Sequence, residues 1–157
     1  MKKIFFYDTL IGEIGIAENE GSITNLFFVR DNIKEEVVIE ETKTIKTAIE
    51  QLNSYFLGER FDFDLPLKPQ GTEFMMSVWN ELLNIPYGQT SSYGEIAKRI
   101  GNPKAARAVG LANNKNTIPI FIPCHRVVGF KGNLTGYRGG LDIKKKLLDI
   151  ENINKTV

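Results

Sequence analysis

The chain has 157 residues, 42% of them hydrophobic, with a net charge of +1, one cysteine and one histidine. That length allows one ordinary domain or two small ones with a real core, while the cysteine and histidine counts exclude an intrachain disulfide and a structural metal centre, so a reducing cytoplasmic setting fits best. No apolar run approaches the ~20 residues of a membrane span, and Asp8 interrupts the opening stretch before a signal-peptide core forms, so a soluble, unprocessed chain with no membrane partner is expected.

Three segments rich in β-branched and aromatic residues come first: Ile4 to Tyr7, Gly12 to Ala17 and Ile23 to Arg30. The last two are separated by the turn sequence Glu18-Asn19-Glu20-Gly21, which predicts a small antiparallel sheet. From Thr42 onward Ile45, Ala48, Ile49, Leu52 and Phe56 recur at helical spacing, and Gly58 ends the pattern as a C-terminal cap would. Asp62 to Gly71 contains Pro66 and Pro69 and no helical period, which marks a linker between residues 1–69 and 70–157. The charge sign changes there too. Residues 1–69 carry 8 basic against 13 acidic side chains and residues 70–157 carry 12 against 6, so a near-neutral total conceals a basic C-terminal half.

Beyond the linker the pattern is mainly helical. Phe74, Val78, Leu82 and Ile85 mark an amphipathic helix, with Trp79 in its core, stopping before Pro86-Tyr87-Gly88. A second helix follows Ser91 or Ser92 as N-cap, with Glu95 near its start and Tyr93, Ile96, Ala97 and Ile100 on one face. Asn102 as cap and Pro103 at the first position predict a third helix through Lys104, Ala105, Ala106, Arg107 and Gly110. Two short helices joined by a glycine turn read as helix-turn-helix. The alanines around the basic residues fit two roles equally, close approach to a nucleic-acid groove or close helix packing. A last helix covers roughly Asp142 to Glu151, and its Lys144-Lys145-Lys146 run reads as a solvated basic face.

Between the third and last helices, Ile118 to Ile122 is an apolar, strand-like stretch that stops at Pro123 and delivers Cys124, the one thiol, followed by His125. A free cysteine has a pKa near ~8.5, so a nucleophile needs a partner that favours the anion. Adjacent side chains on extended backbone diverge, and a water bridging Cys124 and His125 is a reasonable alternative to a direct bond. A cysteine hydrolase, a DNA-binding module and an alkyl-transfer protein all remain compatible with these features.

The whole pattern is more specific. Asn102 to Gly110, then Ile122-Pro123-Cys124-His125-Arg126-Val127, then Gly136-Tyr137-Arg138-Gly139-Gly140-Leu141, closely resembles the methylated-DNA-protein-cysteine methyltransferases, the direct-reversal repair proteins for 6-O-alkylguanine. The resemblance covers about residues 72 to 151, and residues 1–69 share only the sheet-plus-helix order of that family's N-terminal domain. It implies an α/β (α+β) chain, a ribonuclease H-like subdomain followed by a winged helix-turn-helix-like one, acting as a monomer on double-stranded DNA containing alkylated guanine.

By the same resemblance Cys124 takes the alkyl group from a flipped guanine, and less certainly from 4-O-methylthymine, and keeps it, with no cofactor. His125 is the base through a bound water and Glu151 orients it. Tyr93 contacts the target phosphate and donates to the base, while Arg107 fills the hole that base flipping leaves. Asn116 braces the hinge before the active-site segment, although Thr117 stands where many members have proline. Pro119, Val127, Tyr137 and Arg138 line the pocket. Lys98, Arg99, Lys104, Arg107 and Lys115 supply phosphate contacts, and the small Ala105 and Ala106 suit a minor-groove approach. A related lesion-binding protein that flips bases without transfer is the alternative.

Overall fold

The structure, a computed structural model, describes residues 1–155 as two compact units, Met1–Pro69 and Gln70–Val157, of which the last two residues lie outside the description. In the first unit β1 (Lys2–Thr9), β2 (Gly12–Asn19) and β3 (Ser22–Phe28) pair antiparallel, and β4 (Val37–Ile39) completes a sheet ordered β3-β2-β1-β4. The three expected strands form the antiparallel part of the sheet, and β4, which the sequence does not suggest, runs parallel to β1, with Lys2, Lys3 and Ile4 opposite Val37, Val38 and Ile39. Three residues pairing with partners 35 positions away leave no local signal.

The β2–β3 hairpin turns at Glu20 and Gly21, both at positive φ (50° and 84°), and the Glu18 carboxylate accepts from the Gly21 amide to hold it. Helix α1 (Lys43–Phe56) starts where Thr42 caps the Ile45 amide and presents Ile45, Ala48, Ile49, Leu52 and Tyr55 as its buried face. The segment expected as a linker is tied down in part: Ile23 of β3 donates to Pro66 and accepts from Lys68, both at 2.8 Å.

In the second unit α2 (Glu73–Leu82) is capped by Thr72 and ends before Ile85, which is buried in the turn that follows. Trp79 donates its indole N–H to the Ala112 carbonyl at 2.9 Å. Strand β5 (Ser91–Ser92) leads into α3 (Tyr93–Arg99), where Ser92 and Glu95 form a reciprocal capping box. After Gly101, at φ 82°, the chain reaches α4 (Ala106–Asn114), which packs against α2 and α3.

Helix α4 begins later than the sequence suggests. Asn102 to Ala105 forms a hydrogen-bonded turn with Pro103 inside it, so Asn102 caps no helix, Ala105 is the N-cap, and the helix runs on to Asn114. Strand β6 (Val127–Val128) pairs parallel with β5, and α5 (Leu141–Asn154) follows a glycine-rich loop. No described helix is long and apolar enough to cross a membrane.

Candidate active site

The segment that delivers the thiol is a buried turn. Two prolines, Pro119 and Pro123, remove amide donors, Ile118 accepts from the Ile122 amide, and Ile120 sits at φ 75°. Asn116, itself buried, closes this turn with its own amide: its side-chain oxygen accepts from the Ile118 N–H at 3.0 Å and its NH2 donates to the Ile122 carbonyl at 2.8 Å. Cys124, His125 and Arg126 then make a single 3-10 turn that runs straight into β6. The expected strand fails because its residues are buried on every side and pair with themselves, not with a neighbouring strand.

Cys124 is 3% exposed and its carbonyl accepts from the Asn113 side chain of α4 at 3.2 Å. Burial pushes the thiol up from its ordinary pKa, and a hydrogen bond from Asn116 and the charges of Arg138 and Lys144 oppose that. Pro119, Val127 and Tyr137 are buried in the same unit, and Arg138 donates to the Asn116 carbonyl at 3.0 Å. The Tyr137 hydroxyl is held well above its usual pKa, first by burial and then by the charge of Cys124, so it is a neutral phenol.

His125 is fully buried, and its Nε2 lies 2.6 Å from a Glu151 oxygen. Glu151, 1% exposed, also accepts from Arg126 Nε at 2.8 Å, Arg126 Nη2 at 3.1 Å and the Gly88 amide at 3.1 Å. Burial alone would favour the acid form, yet the bonds and charges of His125 and Arg126 hold this carboxyl far below the usual range. An ionised carboxylate only accepts, so Nε2 carries the proton. Burial lowers the His125 pKa more than Glu151 raises it, and a neutral ring with Nε2–H leaves Nδ1 as its basic nitrogen.

Tyr93 opens α3 at the end of β5, with its ring against Gly110 of α4 and its hydroxyl 2.9 Å from the Thr135 hydroxyl. Arg107 is exposed on α4, on the same face as Ala108, Leu111 and Asn114, while Ala105 and Ala106 are half-buried. Lys98, Arg99, Lys104 and Lys115 are exposed, and Arg99 approaches Glu95 at 3.9 Å. The lysine run on α5 divides. Lys145 pairs with Asp149 at the surface, but Lys144 is fully buried, contrary to the expected solvated face. Arg126, for which the sequence offers no role, is the cation that pairs with Glu151 beside the neutral His125 ring. No cluster of metal-ligating side chains occurs among the described residues.

A buried thiol thus precedes a histidine whose ring is bonded to a buried carboxylate, on a turn held by α4, in residues that a single family model spans. That model, the 6-O-methylguanine DNA methyltransferase DNA-binding domain, matches residues 73–153, and the ribonuclease-like domain of the same proteins matches residues 3–69. The chain belongs to the 6-O-methylguanine DNA methyltransferase family.

Family members similar to it include the methylated-DNA–protein-cysteine methyltransferase of Methanosarcina acetivorans, 52% identical over 148 residues that cover 92% of this chain and 95% of the relative. The constitutive enzyme of that name from Bacillus subtilis is 48% identical over 154 residues, covering 94% and 93%. Among family structures, that of Mycobacterium tuberculosis OGT in complex with DNA superposes with a TM-score of 0.93 at 45% identity, over 97% of this chain and 94% of the other.

Proposed function

We propose that this protein repairs alkylated DNA by direct reversal, moving the methyl group of 6-O-methylguanine in a duplex irreversibly onto its own Cys124. The observation that carries the reading is the buried Cys124 on a turn shared with His125, whose ring is fixed by Glu151. Family membership supports the same assignment.

His125 takes the thiol proton through a water at Nδ1, and Glu151 keeps the ring in the tautomer that makes this possible. The thiolate attacks the methyl carbon, the carbon–oxygen bond breaks, and its electron pair passes to the purine. The Tyr93 hydroxyl donates a proton to the developing negative charge and regains one from water. Pro119, Val127, Tyr137 and Arg138 wall the pocket around the flipped base. Arg107, standing out from α4, takes the vacated place in the stack, and Lys104, Ala105 and Ala106 lie along the backbone. Asn116 fixes the turn that aims the sulfur. The protein works as a cytoplasmic monomer without a cofactor, and 4-O-methylthymine is a secondary substrate. Because the thioether has no route back to a thiol, each molecule reacts once.

The test is the intact mass of the protein after incubation with a duplex containing 6-O-methylguanine. One methyl is expected, on the peptide that contains Cys124, with no further gain in excess substrate. Lesion binding with an unchanged mass would point to a non-reacting lesion binder, and repeated product release to an ordinary hydrolytic catalyst.

A further inference from the structure

On the turn that carries the thiol, the backbone carbonyls of Cys124 and Val127 are already engaged by the protein itself. That of Cys124 accepts from the Val127 amide and from the Asn113 side-chain NH2 at 3.2 Å, and that of Val127 accepts from Lys144 Nζ at 2.7 Å. A carbonyl oxygen has two lone pairs, so that of Cys124 has none left for a ligand.

Asn113 is the opposite case. It is 2% exposed on the inner face of α4, with Val109 and Ala112, and its side-chain oxygen is buried with no hydrogen-bond partner among the described residues. The carbonyl it faces fixes which way the amide is turned, because only the NH2 group can point at an acceptor. By the bond lengths of an amide, Oδ1 then lies within about 6 Å of the Cys124 carbonyl oxygen. A buried acceptor left unmet is unfavourable in the free protein, and a ligand that brings a donor to it relieves that state.

The alkylated base carries one such donor. With its oxygen methylated and no proton on N1, 6-O-methylguanine presents two acceptors and the 2-amino group along its pairing edge, whereas 4-O-methylthymine presents acceptors alone. The Tyr93 hydroxyl, a donor, suits the acceptors of either base.

We propose that Asn113 is the residue that selects guanine, its Oδ1 accepting a hydrogen bond from the 2-amino group of the flipped base. This rests on Cys124 being the alkyl acceptor for a base taken into this site. Helix α4 then acts from two faces. Arg107, exposed, replaces the base in the stack, and Asn113, six residues further on and buried, recognises the base that has left it. The bond from its NH2 to the Cys124 carbonyl holds the recognising oxygen at a fixed distance from the residue that takes the methyl group. A base without an amino group leaves Oδ1 unmet, which makes 4-O-methylthymine the poorer substrate.

The experiment compares single-turnover transfer from duplexes containing 6-O-methylguanine or 6-O-methylhypoxanthine, which lacks only the 2-amino group, to the full chain and to its Asn113→Leu variant. Wild type is expected to favour guanine by about tenfold or more, and the variant to bring the ratio close to one by slowing guanine. A purely structural role, or an oxygen served by water alone, would slow both substrates equally and preserve the ratio, and that result overturns the proposal. Should the variant fail to fold, the Asn113 side-chain amide signal is followed by NMR in Cys124→Ser protein bound to each duplex. A shift with 6-O-methylguanine that is absent with 6-O-methylhypoxanthine is expected, and the same shift with both overturns the proposal. This readout needs no transfer, so a wild-type protein that takes no methyl from either duplex defeats the proposed function while the role of Asn113 is still decided.

Discussion

Replacing Glu151 with glutamine removes a charge while keeping the size of a side chain that takes four N–H donors. Glutamine offers one oxygen, and its NH2 group faces donors on the His125 and Arg126 side, so at least two of the four donors lose their acceptor. Arg126, 8% exposed in its side chain, is left without its counter-charge. Breaking one side of a buried ion pair costs roughly 3–5 kcal/mol. At about 2–4 °C per kcal/mol for a chain of this length, the melting temperature should fall by roughly 6–20 °C, measured by circular dichroism at pH 7.5. Transfer should slow by at least about 100-fold in a single-turnover assay, because the His125 ring loses the acceptor that fixes its tautomer. The double variant Arg126→Met with Glu151→Leu should recover much of the melting temperature but not the rate. A Glu151→Gln protein that melts within about 2 °C of wild type would refute the reasoning, since it would mean that the carboxylate charge is not holding this cluster together.

Arg107→Ala should leave stability within about 0.5 kcal/mol, because the side chain is exposed, yet slow transfer from a duplex more than from a single strand. Equal duplex rates for variant and wild type would remove the arginine from base flipping. Acid should weaken the fold in two stages. The folded pKa of His125 lies below 6.5 and that of Glu151 below 4.5, so the unfolded chain binds protons that the folded one refuses. Stability from these groups is complete above about pH 6.5 and declines below it, more steeply below about 4.5. A melting temperature that stays level from pH 7 to pH 5 would contradict a neutral buried His125.

The sequence carried the chemistry of this site further than its shape. Tyr93 and Arg107 stand in short local patterns and fall on helices of the kind those patterns suggest, whereas the stretch that delivers Cys124 and His125 does not form the strand expected of it. Lys144 was hidden by its own neighbours, because a run of three lysines looks solvated. The signal was present in a different register: Lys144, Leu147 and Glu151 are spaced three and four apart and form the buried face of α5. Arg126 gave no such signal, since its partners Ile85 and Glu151 lie 41 and 25 residues away. The stretch before Cys124 looked extended because its residues are β-branched and aromatic, and only the two prolines with Asn116 explain why it folds back on itself. β4 was invisible because its pairing is entirely non-local.

Trp79 has one further consequence. It is the only tryptophan in the chain, and its indole N–H is bound to Ala112, whose neighbour Asn113 holds the Cys124 carbonyl. A single fluorophore is therefore wired by two hydrogen bonds and one peptide link to the residue that is consumed. Any shift of α4 when the sulfur gains a methyl group changes the polarity around that indole, so the emission of the unlabelled protein is an optical record of how many molecules have been spent.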